Sequence, residues 1–145
     1  PSVTYYGDFK TALENGLRGQ TPFTPAVNII LQLHARLKKI TSVGLLSERS
    51  MIIEVASDFR ERIKNFDFDI GSTSLSNTLT PIKPASVSAY SLYETLLSNY
   101  DILVCPSGGS RKHTLLRVGH IGMLTIADND KLFFALSDLK NKGSL

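Results

Sequence analysis

The spacing of hydrophobic residues predicts two long helices in the first half of the chain. Apolar side chains recur every three or four residues over residues 25–41 and again over residues 45–66, as they do on the inner face of an amphipathic helix. Thr24 is followed by Pro25, which predicts that threonine caps the first helix and that proline is its first residue. The second helix is long and amphipathic, so we expect one of its sides to pack against other elements.

Further along the chain, alternation of apolar and polar residues predicts short strands. Residues 66–71 and 77–84 show this pattern, and Pro81 is expected to confine the second of these strands to a sheet edge or a bulge, because proline lacks a backbone N–H. Residues 101–106 and 115–118 flank a glycine-rich turn. They are therefore predicted to pair as antiparallel strands.

Two more helices complete the predicted fold. Residues 86–100 return to helical spacing, and Thr125 with Asp128 forms the pattern of a capping box that begins a last helix ending at Gly143. After residue 42 the predicted order is helix, strand, strand, helix, strand, strand, helix. This order indicates an α+β fold, in which helices pack on one face of a small, mostly antiparallel sheet and a long linker helix precedes them.

Composition narrows the possible functions. The 145 residues are 42% hydrophobic and 20% charged, and no apolar run approaches the roughly 20 residues that span a bilayer. The net charge of +3 is scattered, so we expect no nucleic-acid partner, and the lack of a spanning apolar run predicts no membrane partner. A single cysteine, Cys105, excludes an internal disulfide and suits a cytoplasmic protein. The chain begins with Pro1 rather than methionine and opens on the extended "PSVTYY", so we expect it to be a piece of a longer chain.

Arg117 is the first candidate for function, because it lies between an apolar strand and two glycines in "LLRVGHIGML". A guanidinium beside residues without side chains suits bidentate binding of a carboxylate. The alternative is an ordinary surface arginine that extends into solvent or pairs with an acidic neighbour. Spacing alone does not decide between these interpretations.

The remaining candidates are hydroxyls, a thiol and imidazoles. Thr21 and Thr24 precede a helix start, where they form either a turn and a cap or a seat for a phosphate. Cys105 is expected to be a buried, unreactive strand residue. The histidines share no metal-ligand spacing, so a metal site is not expected; these are His34, His113 and His120.

Three segments of the chain resemble a known family. "RGQTPFTPAVNIILQLHARL", "LVCPSGG" and above all "LLRVGHIGMLTIADNDKLFFAL" are similar to the C-terminal part of class V, fold-type I aminotransferases, which depend on pyridoxal 5′-phosphate. The 2-aminoethylphosphonate:pyruvate and alanine or serine:glyoxylate aminotransferases resemble it most. The resemblance implies that residues 1–41 are the tail of a large cofactor-binding domain with the linker helix, and that residues 42–145 are the C-terminal small domain.

The same resemblance implies roles for three residues. The arginine before the first glycine binds the substrate carboxylate in this family, and Arg117 stands at that position. Thr24 and, less closely matched, Thr21 stand where the family contacts the cofactor phosphate of the neighbouring subunit, which implies a homodimer. Cysteine desulfurases of the class carry their nucleophile in a loop after the strand. Cys105 lies within the strand, so desulfuration is disfavoured.

The resemblance also implies which chemistry the chain lacks. None of its lysines stands where the family places the one that bonds to the cofactor, so we expect no catalytic residue here, with that lysine upstream of Pro1. The implied function is amino transfer from 2-aminoethylphosphonate, alanine or serine to pyruvate or glyoxylate. The fragment by itself is expected to be inactive and not to bind the cofactor. The alternative is a standalone α+β interaction or ligand-binding module without catalysis.

Overall fold

The structure is a computed structural model that describes residues 6–145, so part of the extended start expected at "PSVTYY" lies outside the described residues. The chain divides into two compact units, with the boundary between Val43 and Gly44. The second unit extends from Gly44 to Leu145. In the described part of the chain, no helix combines the length and the apolar character needed to cross a bilayer.

The first unit contains two helices, α1 (Phe9–Gly16) and α2 (Val27–Val43). The Asp8 side chain caps α1 by accepting a hydrogen bond from the backbone N–H of Lys10, at 3.1 Å. Helix α1 was not predicted from the sequence. Its signal is the Asp8 cap followed by apolar residues at four-residue spacing, which is short and therefore easily overlooked.

The prediction that α2 begins with the Thr24 cap is wrong, because the helix begins at Val27. The carbonyl of Ala26 accepts the first bond of helical spacing, from the N–H of Ile30 at 3.0 Å. The N–H of Val27 donates instead to the carbonyl of Pro25, at 2.8 Å. This tight three-residue turn keeps Pro25 out of the helix.

The second unit contains a four-stranded antiparallel sheet with the strand order β1-β2-β4-β3. The helices alternate with pairs of strands in the predicted order, which confirms the α+β fold. Between β3 and β4 the chain makes a short 3-10 turn. The elements are α3 (Leu45–Ile63), β1 (Phe68–Ile70), β2 (Leu79–Pro84), α4 (Ala89–Tyr100), β3 (Cys105–Pro106), β4 (Leu116–Gly119) and α5 (Ile126–Asn141).

Strand β2 is central rather than at the sheet edge, so the prediction from Pro81 is wrong. Pro81 lies opposite Arg117 of β4, and its carbonyl accepts a hydrogen bond of 2.9 Å from the N–H of Gly71. In an antiparallel pair, the N–H and C=O of one residue point to the same side. The missing N–H of Pro81 therefore falls just beyond Ile70, where β1 has already ended, and little pairing is lost.

The core lies between one face of the sheet and helices α3, α4 and α5. Leu116 and Val118 of β4 point into it, whereas Arg117 and Gly119 between and after them are exposed on the other face. Phe59, Leu96 and Leu136 bring one large side chain from each helix. The predicted inner face of α3 is confirmed from Val55 onward, but Leu45 at its start is exposed.

The last helix begins and ends as its sequence predicts. The Asp128 carboxylate accepts hydrogen bonds from the backbone N–H and the hydroxyl of Thr125, each at 2.9 Å, within a capping box. At the other end, Gly143 has a φ of +68°, and the N–H of Ser144 reaches back to the carbonyl of Leu139 at 2.9 Å. This left-handed glycine closes the helix.

Candidate functional site

The candidate site lies on the sheet face opposite the three helices, with Arg117 at its centre. Side chains alternate between the two faces along β4, so the burial of its neighbours leaves Arg117 exposed. Across the strands it is flanked by Pro81 of β2 and by Cys105 of β3, both directly opposite in register. The strand pairing therefore fixes which side chains surround the guanidinium.

The guanidinium of Arg117 is held by a thiol and a backbone carbonyl rather than by an acid. Its Nη2 donates to the Sγ of Cys105 at 2.9 Å and to the carbonyl oxygen of Pro106 at 3.3 Å. No carboxylate within residues 6–145 forms an ion pair with it. An exposed cation without an acidic partner is able to receive an anionic ligand.

Cys105 is exposed, so the prediction that it is buried is wrong. Residues directly opposite each other in an antiparallel pair project to the same face, and Cys105 is opposite Arg117. Val104, one residue earlier, is buried instead. A strand composed of apolar residues does not by itself indicate which of them faces the core.

Of the two glycines after Arg117, Gly119 lies on the same exposed face of β4. A Cβ built on Gly119 would meet no atom within 4 Å, so the backbone beside the guanidinium is open. Gly122 has a φ of +93° and Met123 a φ of +70°, which places both in the left-handed region at the turn before α5. Glycine is favoured at position 122 because other side chains are strained there.

His120 is a buried residue of this region whose environment the sequence analysis did not identify. It continues the alternation of β4 into the loop and is only 1% exposed. Its Nε2 shares a hydrogen bond of 2.8 Å with the hydroxyl of Thr80, which also accepts from Nε of Arg60 at 3.0 Å. Burial and the charge of Arg60 lower the pKa of His120 from 6.5 to about 4. His120 is therefore a neutral structural residue near neutral pH.

Metal-ligating side chains do not cluster in the part of the chain that the structure describes. No group of three or more histidine, cysteine, aspartate or glutamate residues there could hold a metal ion. His113 lies in the exposed turn between β3 and β4, where its Nδ1 shares a hydrogen bond of 3.1 Å with the hydroxyl of Ser88.

Thr21 and Thr24 lie in the exposed loop that precedes α2, in the first unit of the chain. Together with Tyr6, Phe23 and their neighbours they line an open cavity with a volume of about 910 Å³. The Thr21 hydroxyl already donates to the carbonyl of Phe23, at 2.7 Å. Thr24 has no hydrogen bond of its side chain among residues 6–145, so its hydroxyl is available to a ligand.

This loop has the donors that a phosphate requires, although not equally at its two threonines. The Thr24 hydroxyl and the first turn of α2 offer O–H and N–H donors on an exposed surface. The Thr21 hydroxyl would first have to release the Phe23 carbonyl. The donor set thus fits a phosphate better at Thr24 than at Thr21.

Sequence comparison gives one distant relative. No protein-family model matches the chain. A curated relative, the soluble hydrogenase small subunit of Synechococcus sp. (strain PCC 6716), is 24% identical over 130 residues, which is 88% of this chain and 33% of that protein. At this identity the match suggests common ancestry without fixing an activity.

Solved structures share the fold much more clearly than the sequence. A phosphoserine aminotransferase from Cytophaga hutchinsonii covers 94% of the chain with a TM-score of 0.75 at 21% identity. An alanine–glyoxylate aminotransferase from Nostoc sp. covers 81% with a TM-score of 0.73 at 22% identity. A ureidoglycine–glyoxylate aminotransferase from Bacillus subtilis covers 92% with a TM-score of 0.78 at 17% identity.

These similarities establish the fold and confirm at that level the resemblance to aminotransferases. The chain has the fold of the matched part of these enzymes. It spans only about a third of the proteins it matches: 33% of the Synechococcus relative, and 38%, 32% and 36% of the three enzymes.

Proposed function

We propose that these residues, which share their fold with aminotransferases, form the C-terminal domain of a class V aminotransferase that depends on pyridoxal 5′-phosphate. The observation that carries the proposal is the exposed guanidinium of Arg117, which has no acidic partner among residues 6–145 and has open backbone beside it. Each carboxylic-acid substrate of such an enzyme, whether an amino acid or a keto acid, carries a carboxylate. Arg117 would bind that group and orient the substrate.

The cofactor would be held mainly by parts of the protein beyond this chain. When bound, pyridoxal phosphate supplies the carbonyl that accepts the amino group and withdraws electrons from the substrate carbon. Thr24, and Thr21 after release of the Phe23 carbonyl, would donate hydrogen bonds to the phosphate of the neighbouring subunit's cofactor. This arrangement makes a homodimer part of the proposal, and these residues alone are expected to be inactive.

The proposed substrates are small. The donor would be 2-aminoethylphosphonate, alanine or serine, and the acceptor would be pyruvate or glyoxylate, in the cytoplasm. A single arginine suits the one carboxylate of these acceptors. The phosphonate donor has no carboxylate. With that donor, Arg117 would therefore act mainly in binding the acceptor.

The test is an activity and spectroscopic assay of the protein that joins these residues to the cofactor-binding part. We expect a visible absorption band from the bound cofactor, which one of the three donors abolishes in the absence of an acceptor. R117K should weaken acceptor binding by roughly 1.5–3 kcal/mol, the scale of a charge-assisted hydrogen bond. R111K, which alters an exposed arginine in the turn before β4, is the matched control. An unchanged KM in R117K would contradict the role of Arg117.

The name of the Synechococcus relative points to a different chemistry, and the same assay separates the two. A small subunit of a hydrogenase is not expected to bind pyruvate or glyoxylate through an arginine. Absence of the cofactor band together with equal acceptor binding in R117K would contradict amino transfer.

A further inference from the structure

The contact between Arg117 and Cys105 bears directly on how a carboxylate would bind. A guanidinium offers two forks for a carboxylate, one from Nε with one terminal nitrogen and one from the two terminal nitrogens. In the structure both contacts of Arg117 are made by Nη2, to the Sγ of Cys105 and to the carbonyl of Pro106. Nη2 has only two hydrogens. A carboxylate that binds in a fork containing Nη2 must therefore displace one of these acceptors.

The Cys105 sulfur is the acceptor that is more easily displaced. Sulfur is a weak hydrogen-bond acceptor, whereas a backbone carbonyl is a strong one. The thiol itself donates to the carbonyl oxygen of Pro106, at 3.7 Å, and this bond does not involve the guanidinium. Cys105 is exposed on an edge strand, so its side chain is not packed in the core.

We propose that Cys105 tunes the carboxylate affinity of Arg117 by occupying part of its guanidinium in the absence of ligand. The inference rests on the proposed function, since it assigns a role to Cys105 at the same site. A thiol at this position holds the guanidinium against β3 without neutralising it. A stronger acceptor at position 105 would compete with the substrate, and an acid there would form an ion pair that blocks it.

Variants of Cys105 test this competition through the dissociation constant for pyruvate, measured by titration calorimetry on the full-length protein. C105A removes the acceptor and should leave the affinity equal to that of the wild type or higher. C105S introduces a hydroxyl, a better acceptor, and should weaken binding. C105D should weaken it by about tenfold or more, because a carboxylate then pairs with Arg117. The expected order of affinity is alanine, cysteine, serine, aspartate.

Alkylation of Cys105 by iodoacetamide gives a second readout that does not depend on activity. Pyruvate bound at Arg117 would lie beside the sulfur and slow the labelling of Cys105, as followed by mass spectrometry of its peptide. Pyruvamide, which has the same shape but no charge, should leave the labelling rate unchanged. Equal rates with and without pyruvate at a concentration that calorimetry shows to be saturating would overturn the inference.

The outcomes separate this inference from the proposed function. Affinity that falls in R117M but is equal in all Cys105 variants leaves the carboxylate site standing and refutes the role of Cys105. Affinity that falls as much in C105A as in C105D shows that the thiol only supports the strand, and it also refutes the competition. A wild-type protein that binds neither pyruvate nor glyoxylate overturns both proposals.

Discussion

Because His120 is buried, we expect the free energy of unfolding to depend on pH. The side chain is 1% exposed, and its pKa falls from 6.5 in an unfolded chain to about 4 in the folded one. Between these values the unfolded chain binds a proton that the folded chain does not. The contribution of His120 to the free energy of unfolding is therefore fully present above pH 6.5 and is progressively lost as the pH falls toward 4. Below pH 4 this residue causes no further loss.

The size of the effect follows from the pKa difference. One pKa unit corresponds to about 1.4 kcal/mol, so the fall of the His120 pKa from 6.5 to about 4 corresponds to roughly 3 kcal/mol. This is a substantial part of the stability of a small domain. The chain contains no tryptophan, so urea unfolding is best followed by circular dichroism at a series of pH values from 4 to 7.5.

The variant H120Q isolates the contribution of the imidazole. Glutamine does not titrate, so the unfolding free energy of H120Q should fall less between pH 6.5 and 4 than that of the wild type, although the variant is less stable at pH 7. H113Q changes an exposed histidine and should keep the wild-type slope. Equal slopes in wild type and H120Q would refute the assignment of a buried neutral His120.

Two further substitutions test the packing and the helix start on which the site rests. L136A removes a side chain of α5 that is 1% exposed and should cost about 2–5 kcal/mol of unfolding free energy, whereas L103A, at a position 75% exposed, should cost little. T125A removes the hydroxyl of the capping box and should cost about 1 kcal/mol, against no change for the exposed Thr73 in T73A. A larger loss in L103A than in L136A, or none in T125A, would contradict the described core and cap.

Local patterns account for what the sequence predicted correctly. The capping box at Thr125 and Asp128 and the glycine stop at Gly143 are set by residues within a few positions of one another. Their physical causes lie in one segment of chain, so they were visible without the rest of the fold. The α+β order of elements followed from the same local periods.

The errors at Pro81 and Cys105 and the missed burial of His120 concern properties that depend on partners distant in sequence. Pro81 lies in a central strand because β1 ends just before the position of its missing N–H, and Cys105 is exposed because its register places it beside Arg117. His120 is buried by contacts with Thr80 and Phe59. None of these partners could be identified before the strand register was known. The sequence thus identified the guanidinium but not the thiol that holds it.

The central claim is that Arg117 binds the carboxylate of a small acid, and its most direct test is the affinity for pyruvate. Calorimetric titration of the full-length protein should show that R117M loses affinity for pyruvate by roughly 10- to 150-fold, while R111M keeps it. Pyruvamide should bind wild type and R117M equally. Equal affinity of wild type and R117M for pyruvate would contradict the account.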